Sequence, residues 1–85
     1  MDETRLFDLS SGETAIIKHL AGGQRFQRRM AALGIRVGKT VRQITSQPLR
    51  GPIVIEIDRS LIAVGQGMAE KIVVEAIEPI KKIDE

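Results

Sequence analysis

One stretch of the chain decides how it folds: Arg28-Arg29-Met30-Ala31-Ala32-Leu33-Gly34-Ile35-Arg36-Val37-Gly38. It predicts the end of a short basic helix, a glycine that stops this helix, and a second glycine before a strand. We expect Gly34 to adopt the left-handed conformation that often follows the last helical residue. Gly38 is predicted to form the turn that leads into the next strand.

The helix that ends at this stretch is predicted to run from Gln24 to Leu33. Phe26, Met30 and Leu33 recur at helical spacing, so they are expected to form one buried stripe. Arginines occupy the remaining faces. Those near the end of the helix also complement the negative end of its dipole.

The flanking sequence is typical of short strands separated by turns. The predicted strands are Thr14–Leu20, Thr40–Thr45, Ile53–Asp58, Leu61–Val64 and Ile72–Ala76. A helical turn from Gly65 to Glu70 is predicted before the last strand, and Arg59-Ser60 is predicted as a tight turn. This pattern indicates a mainly β fold: a small five-stranded barrel, with the helix inserted between the first two strands. Residues 1–85 are expected to form one domain with a frayed tail at 79–85.

Charge is divided unevenly along the chain. No Asp or Glu occurs between Thr14 and Ile55, a segment that holds eight basic residues: Lys18, Arg25, Arg28, Arg29, Arg36, Lys39, Arg42 and Arg50. Such asymmetry suggests an acidic protein partner, a membrane surface or nucleic acid. The alternative is that folding brings acids beside these residues and spreads the charge. The sequence leaves both interpretations open.

Composition argues against several classes of function. The chain has no cysteine and only one histidine, His19. One histidine does not suffice for a nucleophilic triad or a zinc site, so we expect that the protein is not an enzyme. The acidic start at Met1-Asp2-Glu3 is not a signal peptide, and no apolar run approaches a membrane span, so a cytoplasmic protein is expected. Two phenylalanines are too few to stack single-stranded bases.

Candidate cofactor sites are weak. Gly34 to Thr40 imitates a phosphate-binding loop, but three residues separate its glycines instead of four, and it follows a helix instead of a strand. No firm cofactor is therefore predicted and no metal ligand is assigned. Weak binding of a divalent metal by His19, or by Glu56 and Asp58, stays open, although a solvated strand face is the favoured interpretation of these residues.

The motifs together resemble the FeoA family, small proteins of bacterial ferrous iron transport. The likeness is carried by Leu6–Glu13, by the basic helix ending in Leu-Gly and then Gly at Phe26–Gly38, by the Gly-Pro-Ile at Gly51–Ile55, and by Ala63–Val74. The resemblance implies an SH3-like barrel and a cytoplasmic accessory role beside FeoB, a membrane permease with a GTP-binding domain. It also implies a fold similar to the C-terminal domain of iron-dependent repressors. Because of this similarity, the family is often described as binding transition metal ions.

The predicted partner surface is centred on Arg28, Arg29, Arg36, Leu49 and Arg50. Leu49 is expected to be an exposed apolar loop tip, unless it folds back onto the barrel rim. The choice of this surface rests on the acid-free basic segment, whereas the resemblance implies only that the chain binds the cytoplasmic part of the permease. Two alternatives remain: a basic small-barrel module that binds nucleic acid, although nucleic acid is not the favoured partner, and a stand-alone metalloregulator-type SH3-like domain, which would need ligands that the chain lacks.

Overall fold

The computed structural model describes residues 3–45 and 51–77. These residues form six strands, two helices and one 3-10 turn, in this order: β1 (Glu3–Arg5), the 3-10 turn (Leu6–Asp8), β2 (Thr14–Leu20), α1 (Gln24–Ala32), β3 (Thr40–Thr45), β4 (Ile53–Ile57), β5 (Ser60–Val64), α2 (Gln66–Ala69) and β6 (Ile72–Ala76).

All strand pairs are antiparallel, and the sheet order is β1-β6-β2-β3-β4-β5. Helix α2, which follows β5, contacts the 3-10 turn that follows β1, so the two ends of the sheet approach each other as in a small SH3-like barrel. The prediction of a mainly β fold, with a helix between the first two predicted strands and a helical turn before the last, is confirmed.

The strand count differs from the prediction of five. The additional strand is β1, which pairs with β6 through Glu3 opposite Glu75 and Thr4 opposite Val74. Its three residues show no apolar alternation, so only the pairing with a strand about seventy positions away makes them extended. Alternation of apolar and polar residues reveals a strand that has a buried face. The three residues of β1 are too few to show such an alternation.

A single apolar core lies inside the curved sheet. Strand β4 supplies Ile53, Ile55 and Ile57, all buried, while Val54 and Glu56 between them are half-buried on the other face. Met30 is the buried residue of α1, and Gln43 of β3 is the one buried polar side chain among those described. The Nε2 of Gln43 donates a hydrogen bond to the Leu9 carbonyl at 3.4 Å, which offsets part of the cost of its burial.

The turn between β4 and β5 lies one residue earlier than predicted. It consists of Asp58 and Arg59, and Ser60 already pairs with Ile57 as the first residue of β5. Both turn residues have positive φ, 51° and 69°, which is the type I′ conformation that matches the twist of a hairpin. The Arg59-Ser60 turn prediction is therefore wrong, because strand pairing extends to Ser60.

Helix α1 ends in a Schellman motif. Gly34 has φ +87°, its N–H donates to the Ala31 carbonyl, and the Ile35 N–H donates to the Met30 carbonyl, both at 2.9 Å. This return of the chain buries Ile35 beside the helix. Leu33 is left 42% exposed, so the predicted buried stripe of Phe26, Met30 and Leu33 is wrong at its last position.

Candidate partner-binding surface

Helix α1 carries a row of arginines on its outer side. Met30 is fully buried and fixes the inner side of the helix. Arg25, Arg28 and Arg29 are all exposed, and their spacing of three and four residues places them next to one another on the helix surface. The side of the helix that faces away from the core is therefore strongly cationic.

Side-chain contacts fix α1 against the body of the protein. The Nε2 of Gln27 donates to the carbonyls of Leu20 and Gly22, at 3.1 Å each, and so ties the helix to the loop that precedes it. Phe26 packs against the core and lies directly over Gly22, while the Lys71 ammonium stands 5.4 Å from the ring centroid. The backbone that carries the arginines is therefore held in place before a partner binds, so that binding has to order only their side chains.

A tight turn after α1 presents the next cation. The Lys39 N–H donates to the Arg36 carbonyl at 3.1 Å, and Gly38 has φ +95°, the value that the third position of a type II turn requires. The Gly38 N–H also donates to the Ile17 carbonyl at 2.8 Å, so β2 holds the turn in place. Arg36 is exposed at the start of this turn and Val37 is 59% exposed at its tip.

We call this region the arginine surface and define it by six exposed residues of α1, its C-cap and the following turn: Arg25, Arg28, Arg29, Leu33, Arg36 and Val37. Leu33 follows Arg29 at helical spacing, and Val37 follows Arg36 directly. The arginine surface therefore combines charge with two exposed apolar side chains, the mixture that protein interfaces use.

Ion pairs separate the basic residues of the acid-free segment into two groups. Lys18 pairs with Glu75 at 3.7 Å, Lys39 with Asp58 at 2.8 Å, and Arg42 with Glu56 at 3.9 Å. Within residues 3–45 and 51–77, no acid forms an ion pair with any of four arginines: Arg25, Arg28, Arg29 and Arg36. Folding spreads the charge of the first three cations and leaves that of the four arginines concentrated.

Three of the predicted partner-binding residues, Arg28, Arg29 and Arg36, lie on the arginine surface. The other two, Leu49 and Arg50, lie outside the described residues, and their role stays a prediction. Sequence reasoning did not select Arg25, Leu33 or Val37 as partner-binding residues. The signal for Arg25 was available in its spacing of four from Arg29, whereas the exposure of Leu33 follows from the helix cap.

A second candidate region is an open groove of about 520 Å³ between β3 and the β4–β5 turn. Its charged lining includes the two ion pairs of Lys39 with Asp58 and of Arg42 with Glu56, so most of its charge is already matched. The two carboxylates considered for weak metal binding are those of Glu56 and Asp58, and each has a cation beside it. Where the chain is described, no three His, Cys, Asp or Glu side chains group as metal ligands.

Comparisons with known proteins identify relatives of the chain. The family model described as the FeoA domain matches residues 4–76. A putative Fe(2+) transport protein A of Methanocaldococcus jannaschii is 37% identical over 67 residues, 79% of this chain and 79% of that protein. None of the helices in the described ranges is long and apolar enough to span a bilayer.

Solved structures with similar folds include two kinds of protein. A crystal structure of an iron uptake regulatory protein (FeoA) has a TM-score of 0.85 at 25% identity and covers 89% of this chain and 100% of that one. A manganese-dependent transcriptional repressor has a TM-score of 0.81 at 21% identity, over 88% of this chain and 42% of its own. The second likeness is one of fold alone.

Proposed function

Because the chain belongs to the FeoA family, we propose that it acts in ferrous iron transport as a non-enzymatic accessory protein that binds the cytoplasmic part of a FeoB-type membrane permease. The binding site in this proposal is the arginine surface, with Arg28, Arg29 and Arg36 at its centre. The protein itself is proposed to act on the cytoplasmic side.

The observation that carries the proposal is the contrast between paired and unpaired cations. Lys18, Lys39 and Arg42 are matched by acids of the same chain, while the arginines of α1 and the following turn are exposed and unmatched within the described residues. A concentrated positive surface accelerates encounter with an acidic partner and disfavours binding in other orientations. It therefore supports recognition of an acidic face on the partner.

Arginine chemistry adds specificity to this attraction. Each guanidinium can donate two parallel hydrogen bonds to one carboxylate, a geometry that lysine does not offer. Leu33 and Val37 provide exposed apolar area beside the charges, 42% and 59% exposed respectively. We propose that the partner presents carboxylates around a small apolar contact, so that desolvation of the two side chains adds to the electrostatic attraction.

The proposal assigns no covalent chemistry to the chain. The only histidine, His19, is exposed on β2, and the chain has no cysteine. In this proposal the protein affects transport by binding the permease. It does so by binding one state of the permease more tightly than another.

The test is equilibrium binding of the purified protein to the immobilised cytoplasmic region of a FeoB-type permease. The variant Arg28→Glu/Arg29→Glu is expected to bind about tenfold more weakly or worse, a loss of about 1.4 kcal/mol. Its melting temperature should stay near that of the wild type, because both side chains are exposed and unpaired in the described structure.

A matched control separates local charge from net charge. Arg5→Glu/Arg59→Glu makes the same change in net charge at two exposed arginines outside α1 and its following turn. The control is expected to retain wild-type affinity. Equal losses in both variants, or no loss in either, would contradict the assignment of the arginine surface. Salt-sensitive binding of duplex DNA, without binding of the permease, would favour the nucleic-acid alternative.

A further inference from the structure

Among the strands of residues 3–45 and 51–77, β5 has a neighbour on one side of its backbone only. It ends the sheet order and pairs with β4 alone among the described strands. Its sequence, Ser60-Leu61-Ile62-Ala63-Val64, contains no charged residue and no proline. Soluble proteins normally protect such an edge with lysine, proline, a bulge or a covering segment, because it is a template for pairing with another strand.

The hairpin geometry determines which residues of β5 face outward. In a two-residue type I′ hairpin the flanking residues, here Ile57 and Ser60, exchange both hydrogen bonds. Hydrogen-bonded and non-hydrogen-bonded pairs alternate along an antiparallel ladder. Ile62 and Val64 therefore also bond to β4, and the N–H and C=O groups of Leu61 and Ala63 point away from it. Both residues are exposed, Leu61 by 66%.

We propose that a second copy of this chain pairs with β5 along this edge, antiparallel and about a two-fold axis. The axis passes beside Ile62, so that Leu61 lies opposite Ala63 of the second copy, and Ala63 opposite its Leu61. In this register both outward-facing residues of each strand exchange their hydrogen bonds with the other copy. The two sheets join into one through the order β4-β5-β5-β4.

Side chains and charges along the edge fit this register. Leu61 would cover Ala63 of the second copy, together with Val54 that neighbours it on β4. The paired segment ends at Ser60 and Val64, where the chain enters the Asp58-Arg59 turn and α2, and it carries no charged residue, so no like charges meet within it. This complementarity of the edge with itself is the reason for choosing a second copy over an unrelated extended segment.

Sedimentation equilibrium over a wide range of protein concentration tests the association. The wild type is expected to show a monomer–dimer equilibrium. Ala63→Pro should weaken dimerisation about tenfold or more, since it removes an outward N–H without touching a bond to β4. Leu61→Lys should do the same, because lysine protects a free edge. Leu33→Lys, a matched change at the exposed leucine that follows α1, should leave dimerisation unchanged.

Introduced cysteines test the register, since the chain has none of its own. Directly opposed residues in a hydrogen-bonded pair have Cα atoms about 5.5 Å apart, within disulfide range, whereas residues displaced by two positions are too distant. Mixing Leu61→Cys with Ala63→Cys under mild oxidation should give a disulfide-linked heterodimer. Each variant alone should give little disulfide-linked dimer.

Two results would overturn the proposal. One is a wild type that stays monomeric at every concentration and whose mixed cysteine variants do not cross-link. The other is a dimer that Ala63→Pro and Leu61→Lys leave intact, with cross-linking no greater in the mixture than in either variant alone. Circular dichroism of each variant shows that the fold is retained, so that a loss of dimer reports on the edge itself.

Discussion

Lys39 and Asp58 form the shortest of the three ion pairs among the described residues, with the Lys39 Nζ 2.8 Å from the Asp58 Oδ2. The pair links the residue before β3 to the turn between β4 and β5. It also removes one cation from the basic segment as a potential contact for a partner. Lys39 closes the turn that follows α1, so this pair leaves Arg36 as the cation of that turn without an acid partner among the described residues.

We expect this ion pair to contribute little to stability. The side chains are 40% and 60% exposed, so water and salt screen their attraction. A double-mutant cycle with Lys39→Met and Asp58→Asn should give a coupling energy below about 1 kcal/mol, and less at high salt. Asparagine is chosen because it tolerates the positive φ of this position. A coupling above about 2 kcal/mol in urea unfolding would contradict the expectation.

Gly34→Val should destabilise the protein by about 2 kcal/mol, because a β-branched residue is strained in the left-handed conformation. Gly34 has φ +87°, and a Cβ there would meet no atom within 4 Å, so the cost is conformational and not steric crowding. Thermal and urea unfolding measure the change in the free energy of unfolding.

Gly67→Ala is the matched control for this prediction. Gly67 lies within α2, and an added Cβ also meets nothing within 4 Å. Alanine should raise stability there by about 0.5–1 kcal/mol, since glycine is unfavourable in a helix. A Gly34→Val protein as stable as the wild type would show that this glycine does not need its left-handed conformation.

Gly22 and Gly23 are adjacent glycines, but we expect substitution by alanine to destabilise the protein at Gly22 and to have little effect at Gly23. A Cβ on Gly22 would overlap the Phe26 side chain, including its Cβ and Cγ, whereas a Cβ on Gly23 would meet nothing. Gly22→Ala should cost about 1–3 kcal/mol by displacing α1 from the body of the protein. Gly23→Ala, at the N-cap of α1, should cost less than 1 kcal/mol or so. Equal effects in thermal unfolding would show that Phe26 adapts freely.

Much of the fold could be predicted because its strands have one buried face. The alternation of Ile53, Ile55 and Ile57 is visible in the sequence and matches the burial observed in β4. The error at Leu33 has a different origin. Helical spacing alone placed it on the buried stripe, but the cap at Gly34 turns the chain back and Ile35 is buried beside the helix instead.

The arginine surface could be predicted only in part. The sequence shows an acid-free segment, but the acids that neutralise Lys18 and Lys39 lie elsewhere in the chain, at Glu75 and Asp58. Pairing over such separations depends on strand register, which residue patterns do not specify well enough to place individual charges. The structure was needed to separate these lysines from Arg28 and Arg29.

The association rate with the cytoplasmic region of the permease, measured across salt, tests the central claim most directly. From about 50 mM to 300 mM NaCl the wild-type rate should fall steeply, because salt screens the attraction that steers the encounter. Arg28→Glu/Arg29→Glu should associate slowly at low salt and depend on salt far less. A variant whose rate and salt dependence equal those of the wild type would contradict the claim that the arginine surface binds the partner.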